Sequence, residues 1–557
     1  MRRFRCLVLA LAVSAALLSA RPAPAQESGT DPEWGAVDPA APEINQGPKA
    51  AATAEHGMVS TQLMSSTLAA VDVLEAGGNA VDAALTALFV QQVHDYHMVF
   101  LFGSMSALVY DAESGEIHAI DGIAGRPLAS RVDKGDAAKV AIGGTVRASA
   151  ALLERFGTMP WADVVAPSIR AAEEGAIVTS FMYGLNSALW EFGFLGDLRQ
   201  NAEARAFYMP DGHLVGVGRR WKMPALAETL RRLADDGPDY MYTGEWGRKF
   251  VEQATAKGHG VTLEDMAEYQ ALWLDPVAFT YRGHQLYGSP PPDTGGVEVG
   301  FNLNVLENFD LASMGHYSES AETLEVMARA MFRVRSEVEP ATRDPRTWNV
   351  PVDLWLDKDY GRMGAAYVRQ TMPKLDLSPP DGEAAPADAV VASAGALPEA
   401  HELGSDHIVV ADRHGNWVSL LHTIHGGAPG IFIDGVRATG SELGGLPVGE
   451  GRRLVLPITA VMATRDGEPW LALGTPGYPP QPITEVLVNI LDFGMDPHAA
   501  ADAPRFWSFD TPERLQALDE TISLETRIPD DARAGRAERG VEIDEQGAKK
   551  DQSGEIH

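Results

Sequence analysis

The sequence predicts a mixed α/β fold in which helical and β-rich segments alternate along the chain. Short segments rich in Val, Ile and Leu occur in pairs separated by polar turns, at 106–121 and 403–423, and such pairs are typical of β-hairpins. Longer segments, such as the one that begins near Ser65, have the apolar spacing of helices. The 557 residues, 45% of them hydrophobic, are sufficient for a large core.

Two consecutive helices are expected at the start of the ordered chain, which begins near Gly57. The first helix ends at Gly77-Gly78, because glycine is favoured just after a helix C-terminus. Asn79 then suits the N-cap of a second, more buried helix. Residues 144–175 are predicted to form two further helices separated by a turn at a proline.

The N-terminus is typical of a secretory signal peptide, which we assign to residues 1–25. Arginines precede a nearly unbroken apolar run from Cys6 to Ala20, and Ala23-Pro24-Ala25 offers a cleavage site with small residues. The apolar run is too short for a good membrane span. Residues 26–56 are rich in Pro, Gly, Ala and acidic residues and are expected to be loose. We therefore expect a periplasmic or secreted protein that has no membrane contact after signal removal.

Charge and cysteine content exclude several classes of protein. The formal net charge of −32 argues against nucleic acid and anionic membranes as partners. The single cysteine, Cys6, would leave with the signal peptide, so the mature chain would have neither a disulfide nor a thiol nucleophile. The sequence also lacks a P-loop and any Cys/His spacing typical of zinc sites.

The predicted hairpin at 403–423 has a Gly-Ser pair at its open end. If Ala411 pairs with Trp417, Ser405 lies opposite Thr423 and two hydroxyls meet across the strands. This pattern also suits an ordinary hairpin. However, the Pro/Ala/Asp-rich segment 378–389 just upstream is typical of a flexible, exposed stretch. Cleavage of the Gly404–Ser405 bond would free the α-amine of Ser405, whose ordinary pKa of about 7.7–8 would let it act as base for its own hydroxyl.

At these residues the chain resembles the γ-glutamyltransferase family of N-terminal nucleophile hydrolases. The family motif Thr-Thr-His-x-x-Val-x-Asp-x-x-Gly-Asn corresponds to Ser405–Asn416, with Ser in place of the first Thr and Asp406 in place of the second. A carboxylate at 406 could hinder the attack on Gly404 or could accept a proton. The segments Gly77–Ala84 and Ser289–Gly296 also match the family, and the resemblance extends from about residue 57 to about residue 530.

The resemblance implies a fold, a subunit division and roles for several residues. It implies a four-layer αββα sandwich, in which residues 57–404 and 405–557 are the large-subunit and small-subunit parts of one catalytic domain. It implies that Gly404 and Ser405 form the processing site, that Ser405 is the nucleophile, and that Thr423 orients it, although Thr423 also suits an ordinary strand. The resemblance implies no metal and no organic cofactor.

The loop after the strand at 470–473 corresponds to the family's Ser-Pro-Gly-Gly, whose backbone N–H groups form an oxyanion hole. This chain has Gly474–Tyr478 there. A change of side chain leaves the backbone N–H groups in place, so those of Gly477 and Tyr478 are candidates for the oxyanion hole. A simple Pro-Gly turn is the alternative.

The resemblance is weakest in the pocket that holds the γ-glutamyl group. The family's carboxylate-binding Arg corresponds to Ile123, with Arg126 three residues further on, and the paired serines correspond to Val455 and Leu456. His425 stands in place of an Asn. Thr439 lies near the position of the acid that binds the α-amino group, and Arg437 is close by in sequence.

Three interpretations follow for the function. The first is an amide hydrolase, processed at Ser405, whose acyl group is less polar than γ-glutamyl, as the aliphatic Val455 and Leu456 favour. The second is a γ-glutamyl hydrolase or transferase with contacts rebuilt from Arg126, Arg437 or His425. The third is an unprocessed, non-catalytic relative that binds small acids or peptides. The expected partners are a small-molecule or peptide amide substrate and the two subunits of the same precursor.

Overall fold

The computed structural model describes residues 51–127, 140–191, 201–371, 405–423, 427–439, 453–507, 522–525, 527–529 and 543–546. The predicted signal peptide, Gly404 of the predicted processing site, and His425 lie outside these residues.

The described strands are β1 (Gly57–Thr61), β2 (Ser104–Asp111), β3 (Glu116–Gly122), β4 (Ala176–Ile177), β5 (Arg220–Trp221), β6 (Leu272–Leu274), β7 (Val277–Tyr281), β8 (His284–Gly288), β9 (Ser405–Asp412), β10 (Trp417–Thr423), β11 (Gly427–Ile433), β12 (Val436–Thr439), β13 (Val461–Arg465), β14 (Glu468–Leu473), β15 (Phe506–Trp507), β16 (Ile522–Glu525) and β17 (Ile543–Gln546).

The described helices are α1 (Met64–Glu75), α2 (Ala80–His94), α3 (Thr145–Phe156), α4 (Trp161–Glu174), α5 (Ser180–Glu191), α6 (Ala202–Tyr208), α7 (Pro224–Asp236), α8 (Glu245–Ala256), α9 (Leu263–Glu268), α10 (Gly295–Leu306), α11 (Leu311–Met314), α12 (Ala321–Ala341), α13 (Val352–Leu356), α14 (Lys358–Thr371), α15 (Pro480–Leu491) and α16 (Pro497–Asp502).

Two antiparallel sheets form the centre of the fold. The first has six strands in the order β1-β9-β10-β2-β3-β6, and the second has four strands in the order β14-β13-β8-β7. Smaller sheets are formed by β4 with β5, by β11 with β12, and by β15, β16 and β17. The residues between the two large sheets include Leu108, Tyr110 and Ala119 from the first sheet and Met462 from the second, all of them buried.

Helices cover the outer face of each large sheet. Helices α1, α2 and α3 pack on the six-stranded sheet, and α4 packs behind α2. Helix α10 packs on β7 and β8, and helices α12, α14 and α15 surround α10. Each helix layer has its own apolar core against its sheet. This arrangement confirms the expected four-layer αββα sandwich.

The N-terminus of α2 is tied to the β9–β10 hairpin. Asn79 Oδ1 accepts hydrogen bonds from the backbone N–H groups of Val81 and Asp82, which confirms the predicted N-cap. The backbone N–H of Ala80 donates to Asp412 Oδ2 at 2.9 Å. A carboxylate is favoured at a helix N-terminus because of the helix dipole. The turn end of the hairpin is therefore fixed against the helix layer.

Within the described residues, no helix combines the length and the apolar character needed to cross a membrane.

Candidate active site

Ser405 and Thr423 lie opposite each other at the open end of the β9–β10 hairpin. The register runs from Ala411 opposite Trp417 to Ser405 opposite Thr423, as the sequence predicted. Both residues are 4% exposed. The other neighbour of β9, strand β1, pairs only as far as Thr61 opposite Ile408. The first three residues of β9 therefore extend beyond β1. Ser405, the first residue of β9, has no backbone partner in β1.

The inner face of the hairpin, which faces the second sheet, carries Ser405, His407 and Thr423, because side chains alternate along a strand. His407 Nε2 lies 2.9 Å from Ser419 Oγ. Burial lowers the pKa of His407 to about 3, so the ring is neutral. A Cβ atom on Gly474 would lie 2.2 Å from His407 Cδ2, so the ring packs directly against the backbone of Gly474.

The loop Gly474–Tyr478, which we call the oxyanion loop, connects β14 to α15. Gly477 has a φ of +78°, a conformation that favours glycine. Among the described residues, the backbone N–H groups of Gly477 and Tyr478 donate to no other group. The Tyr478 hydroxyl donates to Glu298 Oε2 on α10. The loop thus contacts strand β9 at one end and the second helix layer at the other.

The helix-facing side of the same hairpin carries Asp406 opposite His422. His422 Nε2 lies 2.9 Å from Gln91 Oε1 on α2. Just after α2, His97 Nδ1 lies 2.9 Å from Asp95 Oδ1. Burial would raise the pKa of the Asp95 carboxyl, but His97 and the nearby Asp406 outweigh burial and hold that pKa below its usual range.

A small apolar cluster lies beside the return strand β10. All of its members are at most 3% exposed. They are Ile123, Ala124, Ala141, Leu421, Leu454, Leu456 and Ile458. The backbone holds the cluster together, since Leu454 N–H donates to the Ala124 carbonyl at 2.9 Å and Thr294 N–H donates to the Leu456 carbonyl at 2.7 Å.

Asp293 is a buried acid at the edge of this cluster. Its backbone forms a parallel bridge with Leu456, and the residue is 1% exposed. Burial, with a further contribution from Asp121, raises the pKa of the Asp293 carboxyl well above its usual range, although a hydrogen bond with Ser106 opposes the shift. Among the described residues, its Oδ1 has no hydrogen-bond partner.

Comparisons with known proteins agree with this geometry. Residues 66–430 and 448–557 match the family described as Gamma-glutamyltranspeptidase. The chain belongs to the γ-glutamyltranspeptidase family.

The members of the γ-glutamyltranspeptidase family that are similar to this chain include proteins named as acylases and proteins named as glutathione hydrolases. The chain is 28% identical over 498 residues to the acylase ACY 1 proenzyme of Pseudomonas sp. (strain SE83), covering 83% of this chain and 84% of that protein. It is 28% identical over 501 residues to the glutathione hydrolase proenzyme of Escherichia coli (strain K12), covering 83% of each. The fold is similar to that of a cephalosporin acylase from Bacillus halodurans, with a TM-score of 0.76 at 24% identity over 90% of this chain and 91% of that one.

Family membership confirms that the chain is an enzyme, an amide hydrolase of the γ-glutamyltranspeptidase and acylase type. It also confirms the fold class expected from the sequence. Family membership agrees with the first two interpretations and not with the third, non-catalytic one.

The residues predicted for the γ-glutamyl pocket lie in different places. Val455 and Leu456 are buried, and Leu456 belongs to the apolar cluster. Arg126 is half-buried and follows Gly125, whose backbone bridges to Arg453 just before that cluster. Strand β12 carries Arg437 and ends at Thr439 in a separate two-stranded sheet.

Arg437 is buried among aromatic side chains. Its guanidinium lies 5.7 Å from the centre of the Phe100 ring. Burial lowers the pKa of Arg437, and the nearby Tyr208 and Tyr96 hydroxyls oppose that change.

Sequence reasoning missed the charged groups that surround the hairpin. It named Asp406 but did not connect it with Asp95 and His97, although the His-Asp-Tyr-His run at 94–97 is unusual in a buried segment. It also missed Glu298, a buried acid in the first turn of α10. An acid inside an otherwise uncharged, buried helix is a signal that could have identified it.

Proposed function

We propose that this chain cleaves itself between Gly404 and Ser405 and then hydrolyses amides whose acyl group is less polar than γ-glutamyl, through a Ser405 acyl-enzyme. The observation that carries the proposal is the buried apolar cluster beside β10, which contains Ile123 and Leu456. These are the positions at which the family resemblance puts an Arg and a Ser of the γ-glutamyl pocket.

The position of Ser405 suits self-processing. It begins β9 and extends past β1, so the bond before it is not constrained by a β1 partner. In processing, the Ser405 hydroxyl attacks the Gly404 carbonyl, the peptide bond to the Ser405 nitrogen breaks, and water hydrolyses the resulting ester. Glycine at 404 leaves that carbonyl unhindered. The names of both reported relatives include the word proenzyme, which supports this step.

The free α-amine of Ser405 then serves as the base. It accepts the proton of the Ser405 hydroxyl as the oxygen attacks the substrate carbonyl, and it returns the proton to the leaving amine. Water hydrolyses the ester and regenerates the enzyme. Thr423 lies opposite Ser405 and can orient the nucleophile. The backbone N–H groups of Gly477 and Tyr478 are the candidate donors to the oxyanion.

The apolar cluster sets the acyl preference. Burying the zwitterionic end of a γ-glutamyl group among Ile123, Leu454 and Leu456 without paired charges would cost several kcal/mol, on the order of 3–5. An aliphatic or aromatic acyl group is instead stabilised by about 0.8 kcal/mol for each buried CH₂. Asp293 lies at the edge of such a pocket, and its Oδ1 has no hydrogen-bond partner among the described residues.

Intact mass of the exported protein tests the processing step. We expect two masses, the smaller starting at Ser405, for the natural chain, and one unprocessed mass for Ser405→Ala. A natural chain that stays whole after long incubation would contradict self-processing.

A substrate panel tests the acyl preference. The p-nitroanilides of γ-glutamate, hexanoate and phenylacetate share one leaving group, so they differ only in the acyl part. We expect kcat/KM to be at least about tenfold higher for the apolar acyl groups. A preference for γ-glutamyl would favour the second interpretation, with contacts rebuilt around Arg126, and Arg126→Gln would then raise KM for that substrate alone.

Finally, we propose that the enzyme acts outside the cytoplasm, because residues 1–25 have the pattern of a secretory signal peptide.

A further inference from the structure

We infer that the side chain of Tyr478, held by Glu298 and Arg335, is a positioning residue that fixes the oxyanion loop for turnover. The inference rests on the proposed function, since it assigns a support to the oxyanion hole proposed above. We call the group Tyr478, Glu298, Thr294, Arg335 and Glu339 the tyrosine clamp.

The tyrosine clamp joins the oxyanion loop to two helices. The Tyr478 hydroxyl and the Thr294 hydroxyl donate to the two carboxylate oxygens of Glu298. The Arg335 guanidinium lies 4.1 Å from the centre of the Tyr478 ring, a cation–π distance. Arg335 Nε donates in turn to Glu339 Oε1 at 3.1 Å. Helices α10 and α12 therefore hold both the hydroxyl and the ring of one loop residue.

Such a support matters because, within the described residues, no hydrogen bond of their own fixes the two proposed backbone donors of the loop. At the other end, Gly474 packs against His407. Between these ends, Gly477 has no side chain, and no described heavy atom lies within 4 Å of the position of its missing Cβ. Its N–H and that of Tyr478 donate to no described group. Donors to an oxyanion are effective only when they are held in place before the reaction.

The tyrosine clamp also contains two titratable groups, Glu298 and Tyr478, whose pKa values are raised. Burial, and then the nearby Glu339 carboxylate, raise the pKa of Glu298 to about 7, although the Thr294 and Tyr478 hydrogen bonds oppose the shift. Burial and Glu298 raise the pKa of the Tyr478 hydroxyl well above its usual value, so Tyr478 remains a donor. An ionised Glu298 accepts from both hydroxyls, whereas a protonated one presents a donor of its own to one of them.

The chain offers a matched control in a second Tyr–Glu–Arg group. The Tyr360 hydroxyl donates to Glu337 Oε1, and Arg333 lies 3.0 Å from Glu337 Oε2. Trp355 Nε1 donates to the same carboxylate. This group joins α12 to α13 and α14 and includes no residue of the oxyanion loop. It likewise pairs a tyrosine hydroxyl with a glutamate, and its Glu337 and Arg333 lie on α12, the helix that also carries Arg335. Tyr360→Phe therefore measures the structural cost of losing such a hydroxyl away from the oxyanion loop.

The test compares Tyr478→Phe with Tyr360→Phe, alongside the natural chain and Ser405→Ala, on the best p-nitroanilide. We expect Tyr478→Phe to lower kcat about tenfold while KM changes by less than about twofold, because the donors are displaced but the acyl pocket is not. Hydrogen exchange of the peptide that contains 474–480 should become faster. Tyr360→Phe should leave kcat and the exchange of that peptide unchanged.

A second pair of variants tests the carboxylate. Glu298→Gln keeps an acceptor oxygen for Tyr478 and is expected to retain more turnover than Glu298→Leu, which keeps none. Glu298→Gln should also remove one ionisation from the acid side of the kcat–pH profile, which a purely structural role would not do.

The outcomes separate this inference from the proposed function. Activity that survives in Ser405→Ala, or its absence from the natural chain, would overturn the proposed function and this inference with it. With an active natural chain and an inactive Ser405→Ala, equal kcat and equal exchange in Tyr478→Phe and Tyr360→Phe would overturn only the role of Tyr478.

Discussion

The two faces of strand β9 differ sharply in chemistry. The inner face carries hydroxyls and a neutral ring, Ser405 and His407, opposite Thr423 and Leu421. The helix-facing side carries Asp406 opposite His422, close to the buried pair Asp95 and His97. On strand β9 itself, Ser405 and the acidic Asp406 therefore point to opposite sides of the sheet.

This separation has a physical reason. A nucleophilic hydroxyl with an amine base works best where no fixed charge competes for its proton. Buried charges, in contrast, are tolerated only when they are paired, and a broken pair typically costs 3–5 kcal/mol. Paired charges on the helix-facing side can hold β9 in position against the helix layer without entering the pocket. We therefore expect inner-face substitutions to change turnover and substitutions on the other face to change stability.

The largest effect is expected for Thr423→Val. The substitution keeps the shape of a β-branched residue in β10 but removes the hydroxyl opposite Ser405. We expect kcat to fall by about 10- to 100-fold with little change in the midpoint of urea unfolding, since the proposed nucleophile would lose the residue proposed to orient it. Steady-state kinetics and urea titration measure both quantities.

Thr86→Val is the matched control for this prediction. Thr86 is fully buried on α2, and its hydroxyl has no partner among the described residues. Its removal should leave kcat unchanged and stability equal or slightly higher. Equal kinetics for the two variants would show that Thr423 is only a strand former.

A smaller effect on turnover is expected for Gly474→Ala. The new methyl group would meet the His407 ring at 2.2 Å, so either the ring or the oxyanion loop must move. We expect a loss of stability of about 1–3 kcal/mol and a several-fold lower kcat. Gly184→Ala in the exposed part of α5, where nothing lies within 4 Å of the added Cβ, should instead raise stability by a few tenths of a kcal/mol to about 1 kcal/mol. If Gly474→Ala behaved like Gly184→Ala, His407 would not support the loop.

Much of the fold could be predicted from the sequence because its signals are local. The pairing of Ser405 with Thr423 followed from one turn and the two-residue period of strands. The Asn79 cap followed from a short polar residue between a Gly-Gly stop and an apolar helix. Both depend on neighbours within a few residues, which the sequence displays directly.

The surroundings of the site could not be predicted, because they depend on contacts between distant parts of the chain. Glu298 and Tyr478 are 180 residues apart, and only the packing of α10 against the oxyanion loop brings them together. Asp95 and Asp406 meet because α2 ends beneath β9. The apolar character of Val455 and Leu456 was visible in the sequence, but the enclosure of Leu456 with Ile123 and Leu421 was not.

The smallest expected effect concerns how stability depends on pH for a histidine on the helix-facing side of the hairpin. Burial lowers the pKa of His422 from 6.5 to about 3, although the Asp95 charge opposes the shift. The unfolded chain then binds a proton that the folded chain does not, so stability is lost as pH falls below about 6.5. Between pH 7 and pH 5 this single group should lower the free energy of unfolding by about 2 kcal/mol.

His422→Gln should therefore lose about 2 kcal/mol less than the natural chain over that interval, with kcat nearly unchanged. The difference between the two chains is the proper measure, because Glu298 and Glu485, whose pKa values burial raises to about 7 and about 8, act in the opposite direction. His407→Gln should change the pH slope in the same way, since burial also lowers the pKa of His407 to about 3. On the inner face, however, it should also lower kcat, because the ring supports Gly474. Equal kinetics for the two histidine variants would contradict the expectation that the inner face affects turnover and the helix-facing side affects stability.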